Sequence, residues 1–222
     1  MIDINNIAPI TKKLIILNLV VFGLQNFVPG FDENFVLYPH QAPQFEPYQL
    51  LTHMFMHADF THLFSNLFGI FMFGSSVEHR LGDKKFLIFY LVTGLGAAIL
   101  HLLVLNWEIG SIFNSLVNEF ENGMRSESEL TNIFANINMR GASGALFGIL
   151  AAFATLFPNH KIFLLIFPVP IKAKILILIY AVFELVSGLS RIPGDNVAHF
   201  AHLGGALVGW LMILEWRKRR SI

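Results

Sequence analysis

The segment Gly141–Phe157 reads GASGALFGILAAFATLF and opens with a serine between two small-residue pairs, Gly-Ala and Gly-Ala. It contains no charged residue. An apolar run of this length is typical of a helix buried in a bilayer or in a protein core. Polar side chains inside a membrane helix are costly and usually mark function. Ser143 is therefore the first candidate functional residue of the chain.

The composition of the whole chain is that of a membrane protein. Of its 222 residues, 55% are hydrophobic and 14% are charged, and the mean hydropathy is +0.60. The formal net charge is zero, so we expect no nucleic-acid partner. The chain has no cysteine, which excludes disulfides, thiolate metal sites and a cysteine nucleophile.

Six apolar segments predict an all-α polytopic membrane protein, folded as one domain over residues 1–222. Each segment is expected to be helical, because a spanning segment must satisfy its own backbone hydrogen bonds. The fourth is short for a hydrocarbon core of ~30 Å, which leaves room for a water-filled depression above its outer end. The predicted spans are Leu14–Val28, Leu50–Phe73, Phe86–Leu105, Ser143–Phe157, Ala173–Leu189 and Ala198–Trp216.

The basic residues predict the orientation in the membrane. With the N-terminus inside, 12 of the 15 Lys and Arg residues fall on the inner side and 3 on the outer side. The positive-inside rule then places both termini in the cytoplasm, in a multi-pass protein of the inner (plasma) membrane. No cleavage site follows Lys12 and Lys13, so the first span is expected to be retained. The three outer residues are Arg125, Arg140 and Arg191.

For three of the segments that connect the spans, the sequence also predicts a structure or a role. Pro29–Gln49 has no Lys or Arg and is expected to lie partly in the membrane interface. Asn106–Arg140 has apolar residues at helical spacing, which predicts a surface helix followed by a flexible stretch at Glu121–Glu129. Ser190–Val197 contains a Pro-Gly pair and is a candidate lid over the site.

Four polar residues are expected at one depth in the bilayer. Counting ~1.5 Å per residue from the inner helix ends places Ser143 and His202 at about 22 Å, and His62 and Asn66 at about 24 and 18 Å. A GxxxG pattern at Gly205–Gly209 is expected to pack span six closely on span four. We predict Ser143 as a nucleophile and His202 as its base. No Asp or Glu lies near His202 in its own span, which predicts a Ser–His dyad without an orienting carboxylate.

An oxyanion hole is predicted beside the serine. Ser143 begins a helix, so its backbone N–H is among the free donors at the helix N-terminus. His62 and Asn66 are four residues apart and share a helix face, from which both can donate to one oxyanion. Gly141 allows close approach of the backbone.

Further residues are expected to support this site. Phe147 follows the serine by one helical turn and is placed to stack on the ring of His202. His199 precedes His202 by three residues and is a candidate for binding substrate or ordering water. His53 and His57 lie at the outer mouth, where ordering the loop through hydrogen bonds is favoured over a catalytic role.

Taken together, these motifs resemble the rhomboid family of intramembrane serine proteases. The resemblance implies a bacterial-type, six-transmembrane-helix rhomboid-like bundle, with Ser143 as nucleophile, His202 as base, and an oxyanion hole of His62, Asn66 and the Ser143 N–H. It also implies that Glu78-His-Arg80 is structural, that the substrates are transmembrane proteins cut in or near their helices, and that no cofactor is needed. The motifs are His53–His57, His62–Asn66, Gly141–Gly144 and Ala201–Gly209.

Two other functions fit parts of the sequence. A catalytically silent rhomboid-like protein would bind client helices in the bilayer, but such proteins typically lose the serine or the histidine, and both are present here. A metal site is suggested by five histidines at positions 53, 57, 62, 199 and 202, of which His53 and His57 have a spacing that suits zinc. No HExxH motif accompanies them, so no metal is expected. No pattern in the sequence specifies an oligomeric state.

Overall fold

Helices make up nearly all of the regular structure. The computed structural model describes residues 7–135, 137–163, 169–190 and 197–222, and it confirms the predicted all-α fold. In chain order the helices are α1 (Pro9–Phe27), α2 (Phe31–Phe35), α3 (Gln49–Thr52), α4 (Phe60–Gly69), α5 (Ser75–Leu81), α6 (Asp83–Glu121), α7 (Glu127–Ala135), α8 (Ser143–Leu156), α9 (Ala173–Ser190) and α10 (His199–Lys218). A short antiparallel pair, β1 (Lys161–Ile162) and β2 (Ile171–Lys172), lies between α8 and α9.

The long helices have the length and surface of membrane spans. In α9, Leu178 and Phe183 are 64% and 60% exposed, as expected for side chains that contact lipid. The helix α8 has only 14 residues, and α10, with 20, is not among the four that meet both length and hydropathy. The count of six spans therefore stays a prediction. Among the described residues, four helical segments are long and apolar enough to cross a bilayer: Pro9–Phe27, Phe60–Leu81, Asp83–Glu108 and Ala173–Ser190.

The second span begins later than the predicted Leu50–Phe73. Its continuous helix runs from Phe60 to Leu81, through a π-helical turn that joins α4 to α5. Asp59 caps this helix by accepting the backbone N–H of His62 at 2.8 Å. The cap fixes the helix start, so the residues before it form only the short helix α3 and a 3₁₀ turn.

The predicted third span, Phe86–Leu105, and the predicted surface helix are one helix. No proline interrupts α6, whose 39 residues extend about 58 Å. Its outer part therefore reaches beyond a ~30 Å hydrocarbon core. The stretch predicted to be flexible, Glu121–Glu129, contains a turn at Gly123 with φ of 70° and then enters α7. Phe134 of α7 packs against Phe113 of α6, with ring centroids 5.0 Å apart.

The two long outer segments contact each other above the site. Leu37 and Met139 form an antiparallel bridge, and Arg140 forms an ion pair with Asp32 at 2.5 Å. These contacts hold the segment before Gly141 against the outer loop. Most of the candidate lid, residues 191–196, lies outside the described residues.

The helix α8 lies at the centre of the bundle, where most of its side chains are buried. It packs against α10 and α6, and α10 also packs along α6. Because α8 is enclosed by longer helices, its 14 residues do not need to face lipid along their length. The candidate serine at its first position is half-buried.

Glu78 joins the C-terminal end of the second span to α1. Its carboxylate is 1% exposed and accepts the backbone N–H groups of Ile10 and Thr11, each at 2.7 Å. It also accepts the Thr11 hydroxyl at 2.7 Å. These N–H groups belong to the first turn of α1, where a negative charge is favourable. The glutamate of the Glu-His-Arg element thus anchors the first helix.

Replacing Glu78 with glutamine should lower the stability of the fold. The amide keeps one acceptor oxygen but loses the charge, so part of the buried set of donors is left unsatisfied. The expected loss is about 1–3 kcal/mol, measured as a lower Tm in detergent micelles. Glu215→Gln is the matched control, because Glu215 is solvent-exposed near the end of α10, where it pairs with Arg219. An equal Tm for the two variants would contradict the anchoring role.

Candidate active site

Ser143 and His202 are in direct contact. The Nε2 atom of His202 lies 2.9 Å from the Oγ atom of Ser143 in hydrogen-bond geometry. Ser143 is the first residue of α8, and His202 lies in the first turn of α10. His202 is 9% exposed. A hydroxyl paired with an imidazole in this way has the geometry of a nucleophile with an adjacent base.

Glycines allow the two helices to approach closely enough for this contact. A Cβ atom at Gly205 would lie 1.9 Å from the carbonyl oxygen of Gly144, and one at Gly209 would lie 2.8 Å from the Cα of Gly148. The expected close packing of the last span on the fourth through Gly205–Gly209 is therefore confirmed. The backbones of α8 and α10 touch where larger residues would separate them.

Phe147 holds the plane of the His202 ring. The two rings are stacked, with centroids 4.3 Å apart and an interplanar angle of 3°. Tyr180 of α9 packs edge-on against Phe147, with centroids 6.4 Å apart. The stack stops the imidazole from tilting out of its plane, but it does not determine which ring nitrogen carries the proton.

Gly141, His62 and Asn66 lie together beside the serine turn. Gly141 has φ of 124°, and a Cβ atom there would lie 2.7 Å from His62 Nε2 and 3.7 Å from Asn66 Nδ2. Only glycine fits both the backbone conformation and this close approach. The Nδ1 atom of His62 accepts the backbone N–H of Ala58 at 3.5 Å, which favours the tautomer with the proton on Nε2. The donors of both side chains are thus at the edge of the turn that carries Ser143.

The two outer histidines differ in their contacts. The ring of His53 donates from Nδ1 to the carbonyl of Gln49 at 2.9 Å, and its own carbonyl accepts the N–H of Gly141 at 2.9 Å. His53 thereby supports the serine turn. The backbone of His57 is bound on both sides by Gln25, at 2.9 Å each. The His57 ring packs edge-on against His62, with centroids 5.2 Å apart.

A carboxylate lies beside His202, contrary to prediction. The Oε2 atom of Glu184 lies 2.9 Å from Nδ1 of His202 and 2.6 Å from Nδ1 of His199. The His202 contact is close, although it is not aligned as a hydrogen bond. The expectation that no carboxylate accompanies His202 was wrong because it rested on the residues of the same span, whereas Glu184 comes from α9. Glu184 is the only acidic residue in that apolar helix, and this isolation was the signal that could have found it.

The same three residues are the group that could hold a metal ion among the described parts of the chain. The ligand atoms of Glu184, His199 and His202 all lie within 4.8 Å of one another. Of the five histidines that suggested a metal site, His199 and His202 belong to this group, and His53, His57 and His62 do not. Two imidazoles and a carboxylate match a set of zinc ligands, but the carboxylate oxygen already bonds the imidazole of His199 directly.

A bundle of apolar helices with a paired serine and histidine at one depth defines a polytopic membrane protein with a serine-type site. Residues 44–219 match the Rhomboid domain model, and the chain belongs to the rhomboid family.

The relatives come from organelles and bacteria. Over 213 residues the chain is 32% identical to Rhomboid-like protein 11, chloroplastic, of Arabidopsis thaliana. The alignment covers 91% of this chain and 63% of that protein. Over 157 residues the chain is 31% identical to Rhomboid protein 1, mitochondrial, of Saccharomyces cerevisiae, covering 71% and 38%. Over 222 residues it is 26% identical to Rhomboid protease AarA of Providencia stuartii, covering 93% and 72%. The chain thus spans less than two thirds of the length of the first two relatives.

Proposed function

We propose that this protein is an intramembrane serine endopeptidase that hydrolyses peptide bonds in or near the transmembrane helices of membrane proteins. The observation that carries the proposal is the 2.9 Å contact between Ser143 Oγ and His202 Nε2. A silent client-binding protein has no need of this pairing, so the contact favours catalysis. The proposed domain is a single rhomboid-like unit over residues 1–222.

The proposed reaction starts with attack by the serine. His202 takes the proton of the Ser143 hydroxyl as Oγ bonds to the carbonyl carbon of the substrate, which gives a tetrahedral oxyanion. The oxyanion accepts hydrogen bonds from the Ser143 N–H and from the side chains of His62 and Asn66. The C–N bond then breaks, and His202 gives its proton to the leaving amine. Water, activated by the same imidazole, hydrolyses the acyl-enzyme and restores the serine.

The remaining predicted residues have supporting roles in this proposal. Phe147 keeps the ring of His202 in plane, and Gly141 lets the oxyanion donors approach the serine turn. His53 and His57 order the outer loop beside that turn. His199 contacts the carboxylate beside His202 rather than the serine, so it is assigned to the support of the base.

The reaction is tested with a fluorophosphonate probe on the protein reconstituted in lipid vesicles. We expect the probe to label the protein once, with mass spectrometry locating the adduct at Ser143. The vesicles should also cleave a single-span substrate whose helix is weakened by glycine or proline. Ser65→Ala is the matched control, because the Ser65 hydroxyl is exposed and bonds its own helix at Thr61, and this variant should label normally. Folded protein that is neither labelled nor active would overturn the proposal.

The proposed location is the inner (plasma) membrane, with both termini in the cytoplasm. The positive charge at Arg217–Arg220 supports this orientation. Because the chain has no cysteine, a single Ser221→Cys substitution reports the side of the C-terminus. A membrane-impermeant thiol reagent should modify it only after the cells are opened. Modification in intact cells would show that the C-terminus lies outside, which contradicts the proposed orientation.

A further inference from the structure

Glu184 is a buried carboxylate in a helix whose apolar side chains are mostly exposed. It is 5% exposed, whereas many of its neighbours in α9 point outward, including Leu185 and Val186. A carboxylate in such a position is costly unless it is paired. Its partners are the imidazoles of His199 and His202, which both approach the same oxygen. The two imidazoles beside Ser143 therefore offset the free-energy cost of burying the Glu184 carboxylate.

The contacts form a continuous line from α9 to α8. Oε2 of Glu184 lies 2.9 Å from Nδ1 of His202, and Nε2 of the same ring lies 2.9 Å from Oγ of Ser143. A neutral imidazole carries one N–H and one lone pair. If the N–H is on Nδ1, facing the carboxylate, the lone pair on Nε2 faces the serine hydroxyl. This is the arrangement that a base needs to accept the serine proton.

We propose that Glu184 is a positioning residue that fixes the tautomer of His202 and stabilises its imidazolium during the reaction, an inference that rests on the proposed protease function. The stack on Phe147 restricts the ring plane, but it acts equally on both tautomers. The carboxylate distinguishes them, because it attracts the N–H and repels the lone pair. The site therefore works as a Ser–His–Glu group drawn from three helices.

His199 holds the carboxylate in place. Its Nδ1 donates to Oε2 of Glu184 at 2.6 Å, which is shorter than the contact to His202 and is aligned as a hydrogen bond. The Glu184–His202 contact is close but off the hydrogen-bond direction in the free protein. Catalytic hydrogen bonds are often poorly aligned before substrate binds and tighten afterwards.

The first test measures the tautomer directly on the unsubstituted protein. Labelling the histidines with nitrogen-15 reports by NMR which ring nitrogen carries the proton, and the His202 signals are assigned by their loss in His202→Asn. We expect the proton on Nδ1. Finding it on Nε2 would overturn the proposal, and this result does not depend on any variant of Glu184.

The second test is the kinetic effect of Glu184→Gln. The amide removes the charge with little change of shape, so kcat should fall by about 10²- to 10⁴-fold, with KM unchanged. Glu184→Asp should recover part of the loss, and it replaces the glutamine variant if that one does not fold. A kcat equal to that of the parent, per folded molecule, would make Glu184 a structural residue only.

Glu78→Gln is the matched control, since it also alters a buried carboxylate but far from the serine. It should lower Tm while leaving kcat per folded molecule near that of the parent. If Glu184→Gln shows only this pattern, the positioning role is wrong. A parent protein that is folded but neither labelled at Ser143 nor active would instead refute the proposed protease function, so the two failures are distinguishable.

Discussion

Replacing Ser143 with alanine, His202 with alanine, or both together should reduce kcat to the same low level. The two groups act in one proton transfer, from the Ser143 hydroxyl to His202. Removing either group therefore abolishes that transfer. When the catalytic residues of a serine protease act as a unit, replacing one of them lowers kcat about as much as replacing several. We expect kcat to fall by at least about 10⁴-fold. The measurement is cleavage of a single-span substrate in vesicles, with the amount of folded enzyme determined for each variant.

The controls replace the same residue types outside the site. Ser65→Ala and His40→Ala alter exposed side chains and should keep the parental rate. A double variant that is slower than the parent by the product of the two single effects would show that the two residues act independently. Cleavage by Ser143→Ala at the parental rate would remove the serine mechanism altogether.

Gly205→Ala should nearly abolish activity and destabilise the bundle, although it adds a single methyl group. That methyl would lie 1.9 Å from the carbonyl oxygen of Gly144, a backbone atom that cannot rotate away. The helices α8 and α10 must move apart, and overpacking of this kind typically costs about 1–3 kcal/mol. Since these helices carry Ser143 and His202, a shift of about 1 Å should lower kcat by about 10²-fold or more. Tm and kcat are both measured on the purified variant.

Gly23→Ala is the control for this substitution. Gly23 lies in α1, where a Cβ atom would meet nothing within 4 Å apart from its chain neighbours and the backbone of its own helix, and alanine is the better helix former by about 1 kcal/mol. This variant should keep its activity and its Tm, or gain slightly in Tm. A Gly205→Ala variant with parental activity would mean that the close contact of the two helices is not needed to hold the serine and the histidine together.

Local sequence patterns were sufficient to predict much of the fold and the pairing of Ser143 with His202. The apolar runs predicted an all-α membrane protein, and the glycine spacing at Gly205–Gly209 predicted the close packing of two helices. A helix has a constant rise per residue, so counting along each span placed Ser143 and His202 at one depth. The structure brings these two side chains into contact.

The ends of two helices could not be predicted from hydropathy alone. The start of the second span at Phe60 follows from the cap supplied by Asp59, whereas hydropathy alone extended the span outward. The helix α6 continues to Glu121 because nothing in its sequence breaks it, although its composition becomes polar outside the hydrocarbon core. Hydropathy reports which residues suit lipid, and it does not report where a helix ends.

The sequence by itself determined the class of protein, its family motifs and the serine and histidine, because each of these is encoded in a short stretch with a fixed helical period. Only the tertiary structure decided which carboxylate stands beside that histidine. Glu184 and His202 lie on different helices, and neither one's neighbours along the chain indicate the other. Their approach results from the packing of α9 against α10, which is a property of the whole bundle.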